Sequence, residues 1–162
     1  MKRVLYLHGL ESKQGGEKVE FLSSKCLVHA PEMDYTRSDI FSYLHQIVDE
    51  FRPDVIIGSS MGGYAAYILG SITKTKVILF NPALHSRVFH PNMPEWVKFH
   101  CPHEMVVILG EKDTVIDCNT TLEWIKDHTA DKHVNTTVQR LNTMGHRVTF
   151  SAFTDMYNQY IK

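Results

Sequence analysis

The sequence predicts an α/β protein with a mostly parallel sheet and helices on both faces of that sheet. Short runs rich in Val, Ile and Leu alternate with longer segments whose apolar residues recur at helical spacing. Strands that alternate with helices are joined by crossovers, which give a parallel central sheet covered by helices. A chain of 162 residues with 43% hydrophobic content is long enough for one domain with a single core, over residues 1–162.

Six segments have the composition and length of strands. They are short and apolar, and most end at a Gly, Pro, Asn or His residue. The predicted strands span residues 4–7, 26–30, 55–57, 76–80, 105–109 and 134–141.

Five segments are predicted to be helices. Ser38 or Asp39 begins one of them, Gly70 is expected to end another, and Asn119 or Thr120 is expected to cap a third. The predicted helices span about residues 17–25, 40–51, 64–69, 119–128 and 150–161.

Residues 83–103 interrupt this alternation of strands and helices. The segment carries three prolines and several aromatic residues at the place where a helix should follow the fourth strand. It is interpreted either as a cap-like insertion over a pocket or as a surface excursion with a few buried aromatic side chains.

Charge and composition exclude several classes of function. The net charge of −1 predicts no nucleic-acid partner, and no apolar stretch has the length of a membrane span. The odd number of scattered cysteines (Cys26, Cys101 and Cys118) argues against a disulfide framework and predicts a reducing, cytoplasmic location. The sequence makes no prediction of the oligomeric state.

The run Gly58-Ser59-Ser60-Met61-Gly62 is the first sequence feature that predicts chemistry. An apolar strand leads into this Gly-x-Ser-x-Gly pattern and a helix follows, which is the arrangement of a nucleophile elbow. Gly58 and Gly62 fit because side chains two residues from the nucleophile would collide in so sharp a turn. The alternative interpretation is a Gly-rich turn that binds an anion at the start of the helix.

Two further residues follow later strands and suit the needs of a serine nucleophile. His146, between the last strand and the last helix, is the candidate base that removes the Ser60 hydroxyl proton. Asp113, just after the fifth strand, is the candidate partner of the second imidazole nitrogen. Asp117 is the alternative acid, and Glu111 is a third carboxylate in the same segment.

The tetrahedral intermediate of acyl transfer also needs donors for its negative oxygen. The backbone N–H of Met61, directly after the nucleophile, is one candidate, and the N–H of Leu10 is the second. His8 is predicted to support this loop by hydrogen bonding rather than to act as a base.

No cofactor and no metal are predicted. His85, His90, His100 and His103 lie close in sequence, but their spacings match no standard zinc-ligand pattern. Triad chemistry needs only side chains and backbone amides.

With these residues identified, the chain resembles the α/β-hydrolases and is similar to the small YqiA-like esterases. The resemblance implies a three-layer fold in a short form that lacks the first two strands of larger relatives. It also implies a serine esterase or thioesterase with the triad Ser60, Asp113 and His146. The matching segments are residues 6–12, 57–64, 81–83, 113–117 and 145–146.

The predicted activity is the hydrolysis of small carboxylic esters or acyl thioesters through an acyl-enzyme. A cap of about twenty residues favours a small substrate, for which Tyr64, Phe89 and Trp96, together with Phe99, are candidate pocket walls. For each residue taken singly, a place in the buried core is the stronger interpretation. The alternatives are a small peptidase and a non-catalytic module that binds a small molecule or a protein.

Overall fold

The computed structural model describes residues 1–98, 101–130 and 132–162, and in them all strands join one sheet. The six strands are β1 (Arg3–Leu7), β2 (Leu27–His29), β3 (Val55–Ser59), β4 (Lys76–Phe80), β5 (Glu104–Gly110) and β6 (Asn135–Leu141). Their spatial order is β2-β1-β3-β4-β5-β6, and every neighbouring pair is parallel. The predicted α/β class is confirmed.

Five helices connect or follow these strands in the described part of the chain. They are α1 (Glu17–Ser23), α2 (Ile40–Phe51), α3 (Met61–Thr73), α4 (Cys118–Thr129) and α5 (Phe150–Tyr160). None of the described helices is both long enough and apolar enough to cross a membrane.

The helices cover the two faces of the sheet in separate layers. Along β3, Ile56 packs in a core cluster with residues of α2, α3 and α4. Its neighbours Val55 and Ile57 pack in a second cluster with residues of α1 and α5. This alternation follows from the two-residue period of a strand. Because each fully buried aliphatic side chain contributes about 1.5–3 kcal/mol, both faces stabilise the central strands.

The strand register brings the functional loops to one edge of the sheet. Leu7 in β1 pairs with Gly58 in β3, and Gly58 pairs in turn with Leu79 in β4. Parallel strands in this register end together, so the residues that follow β1, β3, β4, β5 and β6 lie at the same edge. That edge is where open α/β sheets bind ligands.

The predicted end of α3 at Gly70 is wrong, because the helix continues to Thr73 and ends at Lys74 with φ 58°. Gly70 is needed for close packing instead. A Cβ atom there would lie 2.3 Å from Cγ1 of Val77 in β4. A helix that lies this close to the sheet excludes even a methyl group at that position.

The cap of α4 differs from the prediction of Asn119 or Thr120, whereas the predicted cap of α2 is confirmed in position only. The N-cap of α4 is Asp117 rather than Asn119 or Thr120, and its carboxylate accepts the Thr120 N–H at 2.7 Å. Asp39 does occupy the N-cap position of α2, but its carboxylate binds the Arg37 guanidinium instead of a helix amide. An exposed arginine therefore replaces the backbone as the partner of that cap residue.

Residues 83–98 contain no helix or strand, and the remainder of the predicted insertion includes Phe99 and His100, which lie outside the described residues. Hydrogen bonds within the segment hold its start in place. Arg87 donates from Nη1 to the carbonyl oxygens of Ala83 and Leu84 at 2.8 and 2.7 Å. Ala83 and Leu84 are buried in the same core cluster as α3.

Candidate active site

Ser60 stands at a sharp turn between β3 and α3. Its backbone has φ 55° and ψ −116°, a conformation that costs a non-glycine residue about 1–3 kcal/mol. Three backbone hydrogen bonds hold it there: Ser60 N–H donates to the Phe80 carbonyl at 2.9 Å, and the Ser60 carbonyl accepts the amides of Tyr64 and Ala83. The turn thus presents the Ser60 hydroxyl at the edge of the sheet.

Two glycines make this turn sterically possible. A Cβ atom on Gly58 would lie 2.1 Å from the Gly62 carbonyl oxygen, and one on Gly62 would lie 2.1 Å from the Leu7 carbonyl oxygen. Both contacts involve backbone atoms, which have little freedom to move away. The glycines of the Gly-x-Ser-x-Gly pattern are therefore required by close approach to the backbone on either side of Ser60.

The imidazole of His146 lies within hydrogen-bond distance of Ser60. His146 Nε2 is 3.1 Å from Ser60 Oγ, and His146 Nδ1 is 2.8 Å from Asp113 Oδ2. A carboxylate only accepts, so Nδ1 carries the proton and Nε2 is left to accept the Ser60 O–H. In this tautomer His146 can act as a base toward Ser60.

The carboxylate of Asp113 is fully buried and held on both oxygens. Oδ1 accepts the backbone amides of Val115 and Ile116 at 2.8 and 2.9 Å, which leaves Oδ2 directed at His146. The tight turn after β5 therefore fixes the orientation of the acid. A buried, hydrogen-bonded carboxylate in this position can stabilise the imidazolium form of His146.

The other two candidate acids lie elsewhere and have other partners. Asp117 caps α4, where hydrogen bonds from the backbone and side chain of Thr120 lower the pKa of its carboxyl group. Glu111 forms an exposed ion pair with Arg140, at 2.8 Å. Neither carboxylate contacts His146.

Two backbone amides near Ser60 have no hydrogen-bond acceptor among the described residues. They are the N–H of Met61, the first residue of α3, and the N–H of Leu10, in the loop after β1. Gly9 brings the second loop close, since a Cβ atom on Gly9 would lie 3.5 Å from Ser60 Cβ. Two such amides next to a nucleophile can donate hydrogen bonds to a developing oxyanion.

His8 holds the loop after β1 and does not contact Ser60. The Met33 N–H donates to His8 Nε2 at 3.0 Å, so the proton lies on Nδ1, which donates to the Gly9 carbonyl at 2.8 Å. The Tyr35 hydroxyl donates to the His8 carbonyl. The buried His8 therefore connects the strand end to residues 33–35 and shapes the loop that carries Leu10.

A cleft of about 930 Å³ opens beside Ser60 and His146. Exposed apolar side chains line part of it, namely Leu10, Val88 and Val115. Charged side chains line another part: Glu11, Lys13, Glu17, Lys18 and Arg147.

Two polar groups that line the cleft have pKa values shifted by burial. Burial lowers the pKa of the Lys18 ammonium group; the neighbouring charge of Glu17 raises it and that of Arg147 lowers it again. Burial also raises the pKa of the Tyr6 phenol to about 12, so this hydroxyl stays neutral. The cleft is therefore mixed in character, with an apolar part, a charged part and a neutral phenol.

The three predicted pocket walls are not among the residues that line this cleft. Tyr64 is buried beneath the Arg87 guanidinium, which lies 4.1 Å from its ring centre. Trp96 is half exposed and packs edge-on against His45 of α2. Phe89 is exposed. The fourth aromatic candidate, Phe99, lies outside the described residues.

Asn81 is the site residue whose role the sequence analysis did not predict. It follows β4, its side chain is buried, and its φ is 40°. Its amide donates to the carbonyl oxygens of Gly145 and His146 and accepts the Gly110 N–H. The one available indication was a polar residue directly after a parallel strand, at the edge where reactive groups gather.

The described residues contain no group of three or more His, Cys, Asp or Glu side chains placed to hold a metal ion. Of the four clustered histidines, His85 lies 3.1 Å from the Thr121 hydroxyl, while His90 and His103 are exposed.

The chain is similar in sequence and in structure to known proteins. It is 25% identical over 151 residues to a UPF0227 protein of Vibrio cholerae, an alignment that covers 77% of this chain and 83% of the relative. Its structure is similar to an S-formylglutathione hydrolase of Agrobacterium tumefaciens, with a TM-score of 0.67 at 14% identity, covering 96% of this chain and 80% of that one. It is also similar to an α/β serine hydrolase without a lid from Xanthomonas campestris, with a TM-score of 0.62 at 13% identity and coverage of 96% and 78%.

These structural similarities show that the protein has the α/β-hydrolase fold, as its sequence motifs indicated. A family model then matches residues 3–98, more than half of the chain. The chain belongs to UPF0227, an uncharacterised protein family.

Proposed function

We propose that this protein is a serine hydrolase that cleaves small carboxylic esters or acyl thioesters through an acyl-enzyme. The observation that carries the proposal is the hydrogen-bonded series from Ser60 Oγ through His146 to Asp113. A serine hydroxyl is a weak nucleophile by itself, and this series supplies both the base it needs and the group that orients that base.

Acylation begins when the Ser60 oxygen attacks the carbonyl carbon of the substrate. His146 Nε2 takes the hydroxyl proton as the new C–O bond forms, and Asp113 stabilises the resulting imidazolium. The carbonyl oxygen becomes negative and accepts hydrogen bonds from the amides of Met61 and Leu10. The tetrahedral intermediate then collapses, and His146 gives its proton to the departing alkoxide or thiolate.

Deacylation repeats these steps with water as the nucleophile. His146 removes a proton from water, the hydroxide attacks the acyl carbon, and the same two amides stabilise the second oxyanion. Collapse releases the carboxylic acid and returns the proton to Ser60 Oγ. The cycle uses only groups of this chain and one water, so the proposal includes no cofactor.

The dimensions of the cleft support a small substrate. A volume of about 930 Å³ is in the range of small-molecule sites, and the side chains of Leu10, Val88 and Val115 provide apolar contact for a short acyl group. S-formylglutathione hydrolase, whose fold this chain shares, is named for a thioester substrate. We therefore include thioesters beside esters in the proposal.

Two further properties belong to the proposal. We infer that residues 1–162 act as a single catalytic domain, with residues 83–103 as a cap-like insertion. We also infer a cytoplasmic location, because Cys26, Cys101 and Cys118 are all unpaired thiols. Fractionation of cells that carry a tagged copy tests the location.

Kinetics with matched esters and thioesters test the proposed activity. Wild-type protein should hydrolyse p-nitrophenyl acetate or butyrate and a short S-acyl thioester, while Ser60→Ala should reduce the rate to background. Ser59→Ala is the matched control: Ser59 also lines the cleft, but the hydrogen bonds of the His146 ring go to Ser60 and Asp113, so the rate should stay close to that of wild type. A folded wild-type protein that hydrolyses no ester or thioester would contradict the proposal and favour a binding module. Cleavage of peptide substrates alone would instead favour the peptidase alternative.

A further inference from the structure

Asn81 occupies an unusual position at the catalytic edge of the sheet. It follows the last residue of β4, and its own N–H donates to the Ile108 carbonyl of β5 at 3.0 Å. The residue is 1% exposed, and its φ of 40° lies in the left-handed region that Asn tolerates better than most residues. A buried polar side chain in a strained conformation requires strong partners to be retained.

Those partners belong to the loop that carries His146. Asn81 Nδ2 donates to the Gly145 carbonyl at 2.9 Å and to the His146 carbonyl at 3.0 Å. The preceding carbonyl, that of Met144, accepts the Lys112 N–H at 3.0 Å. Three consecutive carbonyl oxygens of this loop are thus held, and one side chain holds two of them.

The opposite end of the Asn81 amide fixes its orientation. Oδ1 accepts the Gly110 N–H at 2.8 Å, so the oxygen faces the end of β5 and the nitrogen faces the His146 loop. Asn81 therefore joins the end of β4, the end of β5 and the loop after β6. A carboxylate could replace the acceptor but not the two donated hydrogen bonds, which excludes Asp as an equivalent residue.

The consequence for His146 is that its backbone and its ring are held by different residues. Asp113 fixes the ring through Nδ1, while Asn81 fixes the carbonyl of the same residue. His146 Nε2, held in this way at the ring and at the backbone, lies 3.1 Å from Ser60 Oγ. Catalytic groups must keep their positions to within about 0.5 Å, so a free backbone would disturb the base even with Asp113 intact.

We propose that Asn81 is a positioning residue that holds the backbone of His146 so that its imidazole meets the Ser60 hydroxyl. This inference rests on the proposed serine-hydrolase function. Asn81 touches neither the Ser60 hydroxyl nor the imidazole ring, so its effect on the reaction passes through His146.

Removal of the amide should lower turnover more than substrate affinity. Asn81→Gly is the first variant, because glycine adopts a positive φ without strain, and Asn81→Ala is the second. In both, kcat should fall by about 10- to 100-fold with KM within about threefold, since displacement of a catalytic group by about 1 Å costs about 100-fold in rate. Leu44→Ala, a core truncation in α2, is the control for stability loss alone and should leave kcat of the folded fraction unchanged.

Asn81→Asp gives a second readout that a structural role alone would not change. The introduced carboxyl is buried, so it is neutral at low pH and can donate one hydrogen bond to the loop. At higher pH it ionises and repels the carbonyl oxygens of Gly145 and His146. The ratio of variant to wild-type kcat, corrected for the folded fraction, should therefore fall as the pH rises from 5 to 8.

Proton NMR separates this inference from the proposed function. The low-field proton on His146 Nδ1, hydrogen-bonded to Asp113, should be visible in wild type and should broaden or shift in Asn81→Gly. This signal does not require turnover, so the positioning role is tested even if wild-type protein hydrolyses no ester. An unchanged His146 signal and an unchanged kcat in folded Asn81→Gly and Asn81→Ala would overturn the inference.

Discussion

Asp113 and Asp117 lie four residues apart, yet they have entirely different surroundings. Asp113 is buried and directed at His146 by two backbone amides, whereas Asp117 is exposed and caps α4. The difference arises from the turn after β5, which points one carboxylate into the site and the other along the helix. The sequence favoured Asp113 over Asp117 because Asp113 lies where the loop leaves β5, and the hydrogen bonds of the two residues are consistent with that preference.

Exchange of each acid for its amide tests this assignment. We expect Asp113→Asn to lower kcat by about 10³- to 10⁴-fold, because the amide favours the wrong imidazole tautomer. Asp117→Asn should leave kcat nearly unchanged and also preserve the helix, since Asn caps a helix as well as Asp does. Steady-state kinetics of the two variants, with circular dichroism as the folding control, would contradict the assignment if only Asp117→Asn lost activity.

At the scale of elements, the turn between β3 and α3 depends on close backbone approach. The first turn of α3 lies so close to the Leu7 carbonyl that there is no room for a side chain at position 62. The same rule explains Gly70, where α3 lies against Val77. In both cases the need for glycine comes from a neighbouring strand rather than from the helix itself.

The requirement at Gly62 can be measured against a glycine that is not crowded. Gly62→Ala should lower the free energy of unfolding by about 1–3 kcal/mol or more, because its Cβ atom would lie 2.1 Å from a backbone oxygen. Gly145→Ala is the control, since its nearest neighbour would be the Lys112 carbonyl oxygen at 3.5 Å and the change should stay within about 0.5 kcal/mol. Equal urea midpoints for the two variants would be inconsistent with this explanation.

The start of α5 is stabilised by an N-cap residue, and this contribution can be tested separately. Thr149 is the N-cap of α5, and its hydroxyl accepts the Ala152 N–H at 3.2 Å. Thr149→Ala should destabilise the protein by about 1 kcal/mol. Ser151→Ala, an exposed change within the first turn, should have little effect, and thermal or urea unfolding compares the two. A cost for Ser151→Ala as large as that for Thr149→Ala would argue against the cap.

The strands, their parallel direction and the loops that carry Ser60, Asp113 and His146 could be predicted from the sequence. Hydrophobic runs define buried parallel strands, and such strands gather their following loops at one edge. Two kinds of feature could not be predicted. Gly70 lies inside α3 because the helix packs closely against Val77 there, and the role of Asn81 depends on carbonyl oxygens that leave no pattern in the sequence.

The predicted pocket walls are not among the residues that line the cleft beside Ser60, and their role in substrate binding stays a prediction. Phe89 and Trp96 lie in an irregular segment, which has no periodicity that shows where its side chains point. Tyr64 packs under Arg87, and Trp96 packs on His45, so neither lines the cleft beside Ser60. The cap-like role of residues 83–103 stays a prediction.

At the scale of the whole molecule, low pH should destabilise the fold because several exposed carboxylates that form hydrogen bonds become protonated. Hydrogen bonds lower the pKa of Asp34, Asp39 and Asp117 below the ordinary value of 3.8; the main partners are Thr36, Arg37 and Thr120 respectively. Since the folded state binds these protons less readily than the unfolded state, their stabilisation is complete above the unfolded value and is lost as the pH falls through the folded values.

Urea unfolding at pH 5 and at pH 3 measures this effect. Wild-type protein should be less stable at pH 3, and Asp117→Asn should show a smaller difference between the two pH values, because the amide caps α4 without titrating. If the free energy of unfolding changes equally between pH 5 and pH 3 in wild type and variant, Asp117 does not contribute to the acid effect.

Covalent labelling tests the central claim, that Ser60 is a nucleophile activated by His146. The protein is incubated with a fluorophosphonate probe, and the modified residue is located by mass spectrometry. We expect a single adduct on Ser60 in wild type, its loss in Ser60→Ala, and a strongly reduced labelling rate in His146→Ala. No adduct on the folded wild-type protein, or an adduct on another residue with Ser60 unmodified, would contradict the account.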